Sequence, residues 1–411
     1  MAESLERGRT RVRGFADPEM DYQLMRQLGA TRYGGASVGE CLALAARITD
    51  ADPASWVQVF AAAGRRQEAD ADARAARGHA ISARDQYLVA CNLYRAAEYY
   101  ASIQDPEHAV LGLASRRCFL TAMHQGGLAC EEWWFSLDDQ RLPAYYVRAP
   151  RNGSAQGPGH VLAIVSGYDG TLEESWLMYG APASERGHDV LLFSGPGQMD
   201  AWRFNAQSHF RPDFEHIGRA VVDRVLALPG MQASRLALMG ISFGGYFATR
   251  IAAHEPRLGA LIANSPIIDL HAYMTSFTGL DPAELSDDED FGPDDLPHIP
   301  DHVMDAQKRA MSANIMLRMG QASFRDTYRY LKQFRVEDSD LARITCPCLA
   351  LVGEGEGAAP QQQAGHFVAH VGGPATPHVF TAEQGADGHC QNANPGFSAA
   401  VSMDWLEETL G

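Results

Sequence analysis

The chain has 411 residues, more than one small domain needs, and its 46% hydrophobic and 21% charged residues suit a globular protein that buries a large core. With 34 basic residues against 51 acidic ones the net charge is −17, which repels nucleic acid and anionic membrane surfaces and sets both aside as partners. Seven scattered cysteines argue against a disulfide framework, and Cys346-Pro347-Cys348 is neither a C-x-x-C pair nor half of a zinc site.

Met1 to Arg13 is charged and has no apolar segment, so no signal peptide is expected, and no run of about 18 apolar residues occurs in the chain. A cytoplasmic protein is the expectation. Ala-rich stretches at Glu40–Ile48, Trp56–Arg77, Ser82–Tyr100 and His108–His124 predict a helical region over 1–128, with Ser82 as an N-cap. Tyr87, Cys91, Tyr94 and Glu98 then share a helix face, most simply as core. Tyr94 is also a candidate substrate contact, in an aromatic group with Tyr87, Tyr99, Tyr100, Trp133 and Trp134.

Near Cys130 the pattern changes. Glu131–Leu137 and Leu142–Ala149 read as two strands joined by a polar turn, followed by a Gly/Pro/Ser loop over Pro150–Gly159. Strands and helices then alternate, which implies a mostly parallel sheet. The strands are Val161–Ser166, Asp189–Phe193, Arg235–Met239, Ala260–Ala263, Cys348–Val352 and His378–Phe380. The helices are Leu172–Arg186, Phe214–Leu228, Phe243–His254 and Pro395–Leu410. Leu270 to Val336 is longer than a crossover needs. It holds an acidic loop, Asp281–Asp301, and helical sequence over Met304–Phe334, and it reads as an insertion standing above the strand ends.

The strongest local signal is Gly240-Ile241-Ser242-Phe243-Gly244-Gly245, a G-x-S-x-G segment between an apolar strand and a helix. Such a bend lifts the Ser242 hydroxyl clear of the sheet, and the following helix N-terminus favours negative charge beside it. Ser242 is therefore the candidate nucleophile. His389, the last histidine of the chain, lies in a Gly-rich loop after the final strand and is the candidate base. The acid belongs after the penultimate strand, in Gly353-Glu354-Gly355-Glu356-Gly357. Glu356 stands at the usual distance, Glu354 is its rival, and Asp269 after the preceding strand is a third choice. An oxyanion hole needs two N–H donors. Those of Phe243 and Tyr168 are the candidates, with Tyr168 or Asp169 also able to shape the substrate pocket.

Gly167-Tyr168-Asp169-Gly170-Thr171 followed by Glu173-Glu174 resembles the G-x-D-[GS]-T-x-E-E segment of one α/β-hydrolase branch. Arg211-Pro212-Asp213-Phe214-Glu215, Gly353-Glu354-Gly355-Glu356, Gly388-His389-Cys390-Gln391 and, earlier, Tyr33-Gly34-Gly35-Ala36-Ser37 are similar to its other motifs. That branch includes 2,6-dihydroxypseudooxynicotine hydrolase, the fungal pigment-pathway polyketide-shortening hydrolases and FrsA-like esterases. The resemblance covers nearly the whole chain. It implies an α/β-hydrolase fold with an eight-stranded, mostly parallel sheet (129–411), a helical N-terminal cap or dimerisation domain (1–128) and a cap insertion (270–336).

The same resemblance implies a Ser242–Glu356–His389 triad and, as in several members, a homodimer. It also implies cleavage of a small molecule next to a ketone, or of an ester or amide, in specialised metabolism. No metal or cofactor is expected. Acyl transfer or cyclisation from the same acyl-enzyme is the alternative reading, and a non-catalytic binding protein the third.

Overall fold

The computed structural model describes residues 8–150, 159–278 and 281–411. Residues 1–7 of the charged start, 151–158 of the Gly/Pro/Ser loop and 279–280 of the insertion lie outside them.

Among the described residues five α-helices come first: α1 (Pro18–Gly29), α2 (Val38–Ala45), α3 (Pro53–Ala76), α4 (Ala80–Tyr100) and α5 (Pro106–Gln125). Three of them start on an Asp-Pro step. The carboxylates of Asp17, Asp52 and Asp105 accept first-turn N–H groups that have no partner within the helix. Proline comes next, where it has no N–H to lose. Ser82 is not the cap expected of it. Gly78, with φ +79°, reverses the chain so early that α4 already starts at Ala80, and Ser82 falls inside its first turn.

A hairpin, β1 (Ala129–Leu137) and β2 (Gln140–Arg148), leads into the alternating part. There follow β3 (Val161–Val165), α6 (Leu172–Ser175), α7 (Ala181–Glu185), β4 (Asp189–Phe193), α8 (Met199–Trp202), α9 (Glu215–Leu226), β5 (Leu236–Ile241), α10 (Gly244–His254) and β6 (Ala260–Asn264). The insertion carries α11 (Leu270–Thr278), α12 (Ala306–Met319) and α13 (Phe324–Leu331). Then α14 (Asp338–Leu341), β7 (Cys348–Gly353), α15 (Ala358–His370), β8 (Ala375–Phe380) and α16 (Pro395–Leu410) close the chain.

Two expected helices are broken. Between α6 and α7 the chain makes a π-helical turn ahead of Pro182, which has no N–H for the helical ladder. The stretch expected over Met304–Phe334 stops at Gly320, whose φ of +67° ends α12.

The eight strands run in the order β1-β2-β4-β3-β5-β6-β7-β8, antiparallel at β1–β2 and β2–β4 and parallel elsewhere. The central strands β3, β4, β5, β6 and β7 are buried throughout, as parallel strands covered on both sides must be. Alternate residues feed two cores. Leu162, Ile164, Leu192, Met239 and Ile262 face a core that is continuous with α1, α3, α4, α5 and α16. Val161, Ala163 and Val165 point the other way and join Leu191, Phe193 and Leu238 in facing α9, α10, α15 and the insertion. The N-terminal helices thus share one core with a face of the sheet.

That junction also carries buried charge. Arg203, just after α8 and with a side chain 1% exposed, grips Glu98 of α4 with two hydrogen bonds of 2.7 Å and reaches Glu173 at 3.1 Å and Asp200 at 3.0 Å. Arg95 pairs with Glu174 at 2.8 Å, and so does Arg26 of α1. Removing one partner from such a cluster leaves carboxylates buried and uncompensated. Arg203→Met is expected to cost about 3–5 kcal/mol of stability, read as a lower urea midpoint.

Candidate active site

At the end of β5 the chain turns directly into α10, and Ser242 occupies the bend with φ +60°. A non-glycine residue holds that conformation only when its surroundings enforce it. They do so by close backbone approach. A Cβ on Gly240 would lie 2.0 Å from the Gly244 carbonyl oxygen, and one on Gly245 would lie 1.8 Å from that of Ser265. The Ser242 N–H donates to the Asn264 carbonyl on the neighbouring strand.

The loop after β8 brings His389 to this bend. Its Nε2 lies 2.8 Å from Ser242 Oγ, and its Nδ1 lies 2.6 Å from Glu356 Oε2. Glu356 ends the 3-10 turn that follows β7, and its side chain is 1% exposed against 11% for His389. Gly353 N–H donates to Glu356 Oε1 at 2.8 Å, and the Ser265 hydroxyl lies 3.0–3.1 Å from both carboxylate oxygens. Burial disfavours the His389 imidazolium. The neighbouring Cys390 and the Glu356 carboxylate favour it, and the balance raises the His389 pKa above its ordinary 6.5.

Three side chains distant in sequence therefore form one hydrogen-bonded line from hydroxyl to carboxylate. In such a line the imidazole can take the hydroxyl proton while the carboxylate holds its tautomer.

The other candidate acids point elsewhere. Glu354 Oε1 accepts the Ala382 N–H at 2.8 Å, and Asp269 Oδ1 accepts the Ala272 N–H at 2.8 Å. Gly167 presses against the serine bend: a Cβ on it would sit 2.6 Å from Ser242 Cβ and 2.9 Å from Phe243 N. The Phe243 N–H therefore lies beside Ser242, with the backbone just ahead of Tyr168 packed against it.

Two expected substrate contacts have other partners. Tyr94 is buried against Gly64 and donates to Glu68 at 2.7 Å, within the helical region, because α4 turns that face towards α3. Asp169 pairs with Arg26 at 3.2 Å, and its carbonyl accepts from Arg95. With Glu174 it forms a socket for Arg26 and Arg95 of the helical region, while Glu173 holds Arg203. The wider aromatic group also disperses: Tyr87 donates to Asp72, Tyr99 donates to Glu19, and Trp133 stacks on Tyr146.

Several residues at the site carry no sequence signal. Tyr22 of α1 donates to the His389 carbonyl at 3.0 Å, and the Tyr273 hydroxyl of α11 lies 3.2 Å from His389 Nδ1. The Arg9 N–H and the Thr10 hydroxyl donate to the buried Asp387, two residues ahead of the histidine. Tyr168 is held by α12. Its hydroxyl donates to Asn314, its carbonyl accepts from Arg318, and the Arg318 guanidinium lies 4.2 Å from its ring centre. Arg318 is fully buried, and no carboxylate among the described residues pairs with it.

Sheet order, serine bend and histidine loop together define the architecture of an α/β hydrolase. The chain belongs to the α/β-hydrolase family and is an enzyme. Hydrolase LUC6 of Fusarium sp is 30% identical, over 97% of this chain and 98% of its own. Alpha/beta hydrolase xenA of Xenoacremonium sinensis is 30% identical over 82% of each chain. The 20-hydroxy-prefusarin hydrolase FUS2 of Gibberella moniliformis is 32% identical over 62% of each. Residues 213–322 match the prolyl oligopeptidase family. The solved structure of the 2,6-dihydroxy-pseudo-oxynicotine hydrolase superposes with a TM-score of 0.71 at 20% identity, over 93% of this chain and 95% of that one, and shares the fold. Among the described residues no helix is long and apolar enough to cross a membrane.

Proposed function

We propose that this enzyme is a serine hydrolase acting on a small carbonyl compound, with Ser242 as nucleophile, His389 as general base and Glu356 as the acid that orients it. The observation that carries this reading is His389 itself, bonded to the hydroxyl through Nε2 and to the carboxylate through Nδ1. Ser242 Oγ attacks the carbonyl as His389 removes its proton. The oxyanion rests on the N–H groups of Tyr168 and Phe243. His389 returns the proton to the departing alcohol, amine or stabilised carbanion, and water then clears the acyl-enzyme.

An ester, an amide or a carbon–carbon bond next to a ketone fits this sequence of steps. A role in specialised metabolism is supported by relatives such as the 20-hydroxy-prefusarin hydrolase.

A fluorophosphonate probe tests the nucleophile. Wild-type protein is expected to take up one phosphonyl group, and peptide mass analysis should place it on Ser242. Labelling at another residue, or none at a pH of about 8–9 where more of the His389 imidazole is neutral, would overturn the assignment.

A further inference from the structure

We propose that Asp338, His366 and His370 form a binding site for a divalent transition metal of the zinc class, where α14 meets α15. The site is separate from the serine centre and does not depend on the function assigned to it.

His366 and His370 stand one turn apart on α15 and so project from the same face. Their rings are nearly parallel, 14° apart, with centroids separated by 3.9 Å. Asp338, the first residue of α14, extends its carboxylate to both: Oδ1 lies 2.6 Å from His366 Nε2, and Oδ2 lies 3.8 Å from His370 Nε2. One potential ligand atom from each residue thus falls within 4.8 Å of the other two.

An ordinary surface ion pair accounts for His366 and Asp338 alone. It does not account for the second imidazole. His370 Nδ1 is 2.8 Å from the His366 carbonyl oxygen. A carbonyl only accepts, so Nδ1 carries a proton, and Nε2 is the nitrogen turned to the same carboxylate. A backbone acceptor on the far nitrogen is the usual way a metal-binding histidine is oriented.

Zinc holds nitrogen and carboxylate oxygen at about 2.0–2.2 Å, which sets ligand atoms roughly 3.3 Å apart in a tetrahedron. The three side chains are 39–63% exposed and reach that spacing by small rotations. Two imidazoles and one carboxylate suit zinc, nickel or copper and do not suit magnesium or calcium. On binding, the contact between His366 Nε2 and Asp338 gives way to the metal, the His366 ring keeps its proton on Nδ1 so that Nε2 offers its lone pair, and water is the fourth ligand. The metal would tie the end of the return from the insertion to the helix that follows Glu356, which is a structural role.

Calorimetric titration of the metal-stripped full chain with zinc chloride tests this. One zinc per chain is expected. His366→Ala and His370→Ala should each weaken binding at least about tenfold, and zinc should raise the melting temperature of the wild type but not of the double variant. All three positions are exposed, so the variants should fold, which circular dichroism checks. No zinc heat in the wild type would overturn the proposal. Undiminished affinity in the double variant would do so too, because it would place the metal elsewhere.

Discussion

Replacing Ser242 by alanine is expected to lower the turnover of an activated ester such as p-nitrophenyl acetate about ten-thousand- to million-fold. The reason lies in the geometry. His389 Nε2 has the serine hydroxyl at 2.8 Å, and that hydroxyl is the atom the proposed acyl-enzyme is built on. What should survive is the stabilisation of water attack by the N–H groups proposed for Tyr168 and Phe243, which in comparable enzymes still exceeds the uncatalysed rate. The fold should not change, because alanine at φ +60° is no more strained than serine. A variant with wild-type turnover would exclude Ser242 as the nucleophile.

Glu356→Gln is expected to cost about a thousand- to ten-thousand-fold, although the side chain keeps its size. Gly353 N–H donates to Oε1, so the amide oxygen of the glutamine takes that position. Its NH2 then falls where Oε2 now meets His389 Nδ1. An NH2 can only donate, so Nδ1 must give up its proton and Nε2 must carry one, the wrong tautomer for receiving the serine proton.

The pH dependence gives a second readout. A base works when neutral, so kcat/KM should rise with pH along a limb centred above 6.5, because the His389 pKa is raised. Losing the Glu356 charge removes part of that upward push, and the residual limb should move to lower pH. Glu354→Gln and Asp269→Asn should leave both rate and limb nearly unchanged, since those carboxylates accept backbone N–H groups away from the imidazole. If Glu354→Gln instead reproduced the loss, the acid would have to be reassigned.

The sheet and the serine bend are legible in the sequence because each is written locally. Apolar runs bounded by turns mark the central strands, and G-x-S-x-G marks a place where backbones pass too closely for side chains. The choice of acid is not legible. Glu354 and Glu356 lie two residues apart in one 3-10 turn, and only the folded turn shows that the first faces Ala382 while the second is buried beside Ser265 and the imidazole. Helix α1 gives no periodic signal, although Asp17-Pro18 announces it, because its buried face includes Glu19, Asp21, Gln23 and Gln27. Two of those polar residues, Glu19 and Gln27, are satisfied by partners far along the chain, Tyr99 and Asn92, which periodicity cannot register. The same holds for Asp169. A conspicuous acid near the nucleophile suggests substrate, and the arginine that claims it comes from α1, 143 residues away.

The grip of Asn314 and Arg318 on Tyr168 couples α12 of the insertion mechanically to the charge-stabilising role proposed for that residue. Whatever displaces α12 to admit a bulkier guest also shifts the residue proposed to cradle the developing negative charge. Substitutions of Asn314 or Arg318 are therefore expected to change selectivity and rate together. Transplanting a foreign insertion to change what the enzyme accepts should detune the proposed chemistry unless both anchoring positions travel with it.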